Sequence, residues 1–150
     1  MGLTVSHLSV RRAAFIRARP ASVWYEFDSF SRLAAWFGTG HQLEVFEPGP
    51  NGRIELSVDD GGDRLAFGGD TVIWEPGLEF SFEDNWFGSQ AWPVPTFVTL
   101  RLQALFDGTQ VELIHHGFER LGDAAAATFE GYEAGWDNHH LAALRKIVEE

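Results

Sequence analysis

Three residues of this 150-residue sequence have the types and spacing for joint proton or ligand chemistry: Glu133, His140 and His115. At helical spacing His140 follows Trp136 by one turn and Glu133 by two, so carboxylate and imidazole can share one face. An imidazole held there in one tautomer could hydrogen-bond a ligand carbonyl or hydroxyl. Together with Glu133 it could supply an acid and a base. The structural alternative is a core histidine satisfied by Glu133 or by a strand backbone. His115 enters the same space from a strand if alternation holds, while His116 and His139 are read as exposed or on the rim. Two histidines and a glutamate are also metal-ligating types, but there is no HExxH spacing and the ligands would come from separate elements, a strand and the helix. No metal is expected.

Other chemistries have no support. The sequence contains no cysteine, no GxSxG, no phosphate-cradling glycine loop and no dinucleotide fingerprint, so hydrolase, kinase and Rossmann redox readings fail and no cofactor is implied. Gly61-Gly62 and Gly68-Gly69 read as turn or bulge positions. What does surround the polar trio is apolar: Trp74, Phe82, Leu100, Phe129, Tyr132 and Trp136 are candidates for an aromatic wall, with ordinary core packing as the alternative for each.

The elements that would position these residues follow from the pattern. Asp123 to Val148 reads as one uninterrupted helix, capped by Asp123, with Ala125, Phe129, Tyr132, Trp136, His140, Ala143, Leu144 and Ile147 on one side. It would span about 39 Å. Gly131 and Gly135 are its weak points, with close backbone approach beside the aromatics as a compensation.

Upstream, Ser9–Arg19 alternates as a first strand with a solvated polar side, and Pro20 opens a short helix over Ala21–Phe27. Asp28 and Ser29 stop it and cap a second, Ser31–Phe37, which ends at Gly38. Strands follow at His41–Glu47, Arg53–Val58, Leu65–Glu75, Leu78–Trp86, Thr96–Phe106 and Gln110–Phe118, divided by turn signals such as Pro76-Gly77 and Asp107-Gly108. Asp59–Asp63 reads as a polar loop and Asn85–Pro95 as an irregular apolar one, either a mouth or packing over a sheet edge. Leu78, Phe80 and Phe82 share one face of their strand, as do Val111, Leu113 and His115 of theirs. So many hairpins make an antiparallel sheet, and one long amphipathic helix is its natural cover. The fold class is α+β, in a single domain over 1–150.

Composition sets the limits on partners. A net charge of -11, from 22 acidic against 11 basic residues, disfavours nucleic acid and anionic membrane surfaces. Thirteen phenylalanines and six tryptophans exceed what a core of this size needs, which points to an apolar cavity. No apolar run approaches the roughly 20 residues of a membrane span, and no signal-peptide pattern is present. Met1, Gly2 and Ser6 match a loose myristoylation pattern without the basic cluster that would support it. The absence of cysteine fits the cytoplasm.

The order of elements resembles the START-like helix-grip fold of the SRPBCC superfamily. Pro20 through Trp24 with Arg32–Phe37, Asp70–Glu75 before Pro76, Leu78–Phe82, then Gly108-Thr109, Leu113, His115, Gly117 and Phe118, and Gly135-Trp136 with Leu141 and Leu144, resemble the family related to activators of the heat-shock chaperone ATPase. The resemblance runs from about Val10 to Val148. It implies about seven antiparallel strands curved around the last helix, two short helices after the first strand, and a cavity between sheet and helix of the kind that holds lipids, polyketides and hormones elsewhere in the superfamily.

The expected function is binding of a small hydrophobic or amphipathic molecule there, as a monomer or homodimer. The contact residues would be Trp74, Phe82, Leu100, His115, Phe129, Tyr132, Glu133, Trp136 and His140. Two other expectations stand beside it. One is a chaperone-binding module, although in chaperone activators this type of domain follows a separate N-terminal domain and here the fold begins at Val10. The other is a cyclase- or dehydratase-like enzyme using Glu133 and His140.

Overall fold

The computed structural model describes residues 8–38 and 40–150. The myristoylation-like pattern of Met1, Gly2 and Ser6 lies outside the described residues. Seven strands form one curved antiparallel sheet, β1 (Val10–Ile16), β2 (Gln42–Phe46), β3 (Arg53–Asp60), β4 (Asp63–Glu75), β5 (Glu79–Trp86), β6 (Thr96–Leu105) and β7 (Gly108–His116). Their order across the sheet is β1-β7-β6-β5-β4-β3-β2. The connection from one edge strand to the other is made by α1 (Pro20–Trp24), a single turn at Tyr25–Phe27 and α2 (Phe30–Phe37). Pro20 lies in the first turn of α1, where its missing N–H costs nothing. Ser29 caps α2 by accepting the Arg32 N–H at 3.3 Å.

Alternation decides which residues meet inside. Phe80, Phe82, Val98, Leu100, Leu102, Val111 and Leu113 from the sheet pack with Val23, Phe27, Leu33, Trp36 and Phe37 of the short helices and with Leu141 and Leu144 near the C-terminus. Leu78 departs from its expected face: it lies just before β5 and is 56% exposed. The expected polar loop at Asp59–Asp63 is tighter than read. β3 and β4 pair up to Asp60↔Asp63, leaving Gly61 and Gly62 as a two-residue turn with φ of 59 and 96°, which matches the strands' right-handed twist. Gly68 is a place where no side chain fits, since a Cβ there would sit 2.3 Å from the Ile54 carbonyl oxygen.

The C-terminal helical arm covers the sheet as expected, but it is not one unbroken helix. After short turns at Phe118–Ala124 it comprises α3 (Ala125–Gly135) and α4 (His139–Glu149), separated at Trp136, whose φ and ψ are -75 and 131°. Asp123 lies in the preceding turns, and no side chain caps α3.

The break has an identifiable cause. Arg12 of β1 donates from Nε (3.1 Å) and Nη2 (2.8 Å) to the Trp136 carbonyl, and from Nη2 to the Glu133 carbonyl at 2.9 Å. It thereby satisfies oxygens that helix continuation would otherwise need. Asp137 then accepts the His139 N–H at 2.8 Å and restarts the helix as α4. Arg12, which alternation places on the same strand side as Val10, Ala14 and Ile16, is therefore the C-terminal cap of α3.

Candidate functional site

A cavity of about 580 Å³ lies between the inner face of the sheet and the C-terminal arm. From the sheet it is walled by Leu56 and Val58 of β3, Phe67 of β4, Phe82, Asp84 and Trp86 of β5, and Val98 of β6. The arm contributes Thr128, Gly131, Tyr132 and Gly135 of α3, Trp136 and Asp137 at the break, and His139 and His140 of α4. Phe37, Gly40, His41 and Trp92 complete it. Gly131 and Gly135 do not mark a close backbone approach, as their position beside aromatics had suggested. A Cβ on either would meet nothing within 4 Å, so these glycines leave room on the helix face that borders the cavity.

The aromatic rings form a connected wall. Phe37 lies 6.4 Å from Phe82 and 5.2 Å from His140, His140 lies 4.9 Å from His41, His41 lies 5.8 Å from Phe67, and Phe67 lies 5.1 Å from Trp86, centre to centre. Trp92 and Tyr132 meet edge-on at 5.9 Å.

The model of the family described as "Activator of Hsp90 ATPase homolog 1-like protein" matches residues 17–149. The chain belongs to this family. Solved structures agree at the level of fold. A Chromobacterium violaceum protein is 21% identical over 95% of this chain and 98% of its own, with a TM-score of 0.67. DynU16, from the dynemicin biosynthetic locus, is 22% identical over 95% of this chain and 47% of its own, with a TM-score of 0.64. The Aha1 dimer of Colwellia psychrerythraea is 14% identical over 94% and 96%, with a TM-score of 0.57. No curated protein matches the sequence.

In this member of the Hsp90-ATPase-activator-like family the cavity's polar groups are few and unusually placed. Asp84 is 4% exposed; its Oδ1 has no hydrogen-bond partner, and burial raises its carboxyl to about 7. Its Oδ2 stands 3.5 Å from His115 Nε2, yet this is no ion pair. The Trp136 indole N–H donates to His115 Nδ1 at 3.0 Å, which fixes the proton on Nε2. That N–H donates to Thr96 Oγ1 at 2.7 Å, and the Thr96 hydroxyl donates to the Asp84 carbonyl at 3.1 Å. Protonating His115 would break the Trp136 bond, and burial with His116 nearby lowers its pKa to about 3.

His41 donates from Nε2 to the Phe37 carbonyl at 2.7 Å, and burial and His140 lower it to about 4. His140 is likewise lowered by burial and donates from Nδ1 to the Trp36 carbonyl at 3.2 Å. One partner of His140 is thus a short-helix carbonyl, whereas the core-histidine alternative had named Glu133 or a strand backbone. Tyr132 is raised by burial and by Asp84.

Of the residues singled out in the sequence, Phe82, Tyr132, Trp136 and His140 line the cavity. His115 is wholly buried behind that lining. Trp74 is not in the lining but packs behind it, 5.1 Å from Trp24 and 5.4 Å from Phe80. Leu100 is core, and Phe129 packs on Phe118 at 5.8 Å. Glu133 is exposed and pairs with Arg12 at 3.5 Å, so the Glu133–His140 acid–base pair is not assembled on the cavity wall. Asp84 and His41 had not been singled out. Both carried a legible signal, as Asp84 continues the inward series Phe80, Phe82, and His41 precedes Leu43 by one alternation. Among the described residues no cluster of three metal-ligating side chains occurs, and no helix is long and apolar enough to cross a membrane.

Proposed function

We propose that this chain binds one small apolar or amphipathic molecule in the cavity between the sheet and the C-terminal arm. The observation that carries the reading is the cavity itself. Its volume of about 580 Å³ lies within the roughly 300–1,000 Å³ of small-molecule sites, and a continuous aromatic wall with few polar groups is the lining such sites have. The helix-grip fold commonly houses hydrophobic ligands, which agrees with the reading without naming the molecule. The cysteine-free sequence fits a cytoplasmic setting.

Native mass spectrometry of gently purified protein, followed by a thermal-shift panel of lipids and aromatic metabolites, tests it. A ligand present at 100 times its Kd stabilises by about 2.7 kcal/mol, so a folded protein that no member of the panel shifts would refute the reading.

The family's description supports a second reading, contact with an Hsp90-type chaperone through an outer surface. That reading expects chaperone capture that is unaffected by His140→Ala, and the absence of capture refutes it.

A further inference from the structure

We propose that the cavity selects an organic cation, a protonated amine carried on an aromatic or otherwise apolar body, with its N–H donated to the carboxylate of Asp84. The inference rests on the cavity being a ligand site and adds the ligand's charge and the residue that reads it.

Three observations converge on this chemistry. First, Asp84 is buried, borders the cavity and has one carboxylate oxygen that no described residue satisfies. A buried acceptor without a donor is costly, and a ligand donor relieves that cost. Second, no lysine or arginine is among the described residues that line the cavity. A fatty-acid or other anionic head would find no cation there and would meet Asp84, with Asp137 a second carboxylate on the lining. Third, the walls next to Asp84 are electron-rich faces: Trp86 two residues along the same strand face, Tyr132 from α3, and Trp92 against Tyr132. Such rings attract a cation as well as an apolar body.

The remaining titratable groups are compatible with a bound cation. His115, facing Asp84 from β7, is kept neutral by its bond from Trp136. His41 spends its N–H on the Phe37 carbonyl and is neutral, so its Nδ1 is an acceptor. His139, His140 and Asp137 border the cavity on the arm, and Tyr132 brings a hydroxyl. An ammonium is thus offered the Asp84 carboxylate, with Asp137 a second on the arm, and the His41 acceptor nitrogen, in a lining rich in aromatic rings.

Three probes of the same ring system and different charge test the proposal: 2-(1-naphthyl)ethylamine, 2-(1-naphthyl)ethanol and 1-naphthylacetate. Each is titrated by calorimetry at pH 8, above the value of about 7 to which burial raises Asp84, into the wild-type protein and into Asp84→Asn. The amine is expected to bind wild type at least tenfold more tightly than the alcohol, and the acetate most weakly. Asp84→Asn should lose that amine preference, so that amine and alcohol bind the variant with similar affinity. Wild type binding the alcohol as tightly as the amine, or an amine preference that survives Asp84→Asn, overturns the charge assignment while leaving the cavity as a ligand site. Folded wild type that takes up none of the three overturns both. The comparison within wild type decides the matter even if the variant folds poorly.

Discussion

Asp84 occupies an inward position on a strand whose other inward residues are Phe80, Phe82 and Trp86, and among the described residues no cation compensates it. Its folded-state pKa of about 7 lies above the ordinary 3.8, so between those values the folded chain holds a proton that the unfolded chain has released. Stability contributed by this group is present below about pH 3.8 and is lost as pH rises toward 7. Asp84→Asn removes that loss. Relative to wild type the variant should therefore gain about 2 kcal/mol between pH 5 and pH 8, read as a Tm difference that grows by several degrees over that range. A difference that is flat with pH would show that the carboxyl titrates normally. At this scale the sequence was partly legible. His140 stood out because its helix face is otherwise apolar, whereas Asp84 required carrying the β5 alternation one step beyond its hydrophobic members. Trp74 and Leu100 could not be separated from true lining residues, because core and cavity wall use the same side chains and only the packing of α1 and α2 distinguishes them.

The arm is set by one strand residue and two glycines. Arg12 ties off the carbonyls of Glu133 and Trp136, and hydrogen bonds from a charged donor contribute about 1.5–3 kcal/mol each. Arg12→Met should cost about 2–3 kcal/mol in urea unfolding and raise amide exchange at the end of α3. Arg12→Lys should recover less than half of this, since an ammonium lacks the planar fork that reaches both oxygens. Equal stability of Arg12→Met and wild type would show that the break needs no cap. Gly131 allows the opposite experiment. With open space around its would-be Cβ, Gly131→Ala should stabilise α3 by about 1 kcal/mol, while Gly131→Phe should fill the cavity and abolish uptake of the naphthyl probes without lowering Tm. Retained uptake in Gly131→Phe would place the probes elsewhere. The helical arm and every strand were legible from periodicity and turn residues, because those signals are local. The break was not, because its cause lies 124 residues away in β1, and a helix with two glycines reads as weak rather than as interrupted.

For the molecule as a whole, the buried histidines outweigh the buried acid. His41 and His115 are held at about 4 and 3 against an ordinary 6.5, and His116 and His140 are lowered as well. They come from the segment after α2, from β7 and from α4, so every layer around the cavity contains imidazole that must stay neutral to remain packed. Below pH 6.5 the unfolded chain takes up these protons and the folded chain does not, so stability falls as pH falls through that range. Asp84 acts in the reverse sense between 3.8 and about 7, but it is one group against several. Each proton of difference is worth about 1.4 kcal/mol per pH unit. Two strongly lowered histidines against one aspartate therefore leave a net loss of roughly that size for each unit from pH 6 down to pH 4. Wild-type Tm should accordingly drop steeply between pH 6 and pH 4. His41→Gln should shallow the slope, because the amide can still donate to the Phe37 carbonyl but takes up no proton. A slope unchanged in His41→Gln would mean that His41 already titrates near its ordinary value in the folded protein, and the neutral lining proposed for a cationic ligand would lose one of its acceptors.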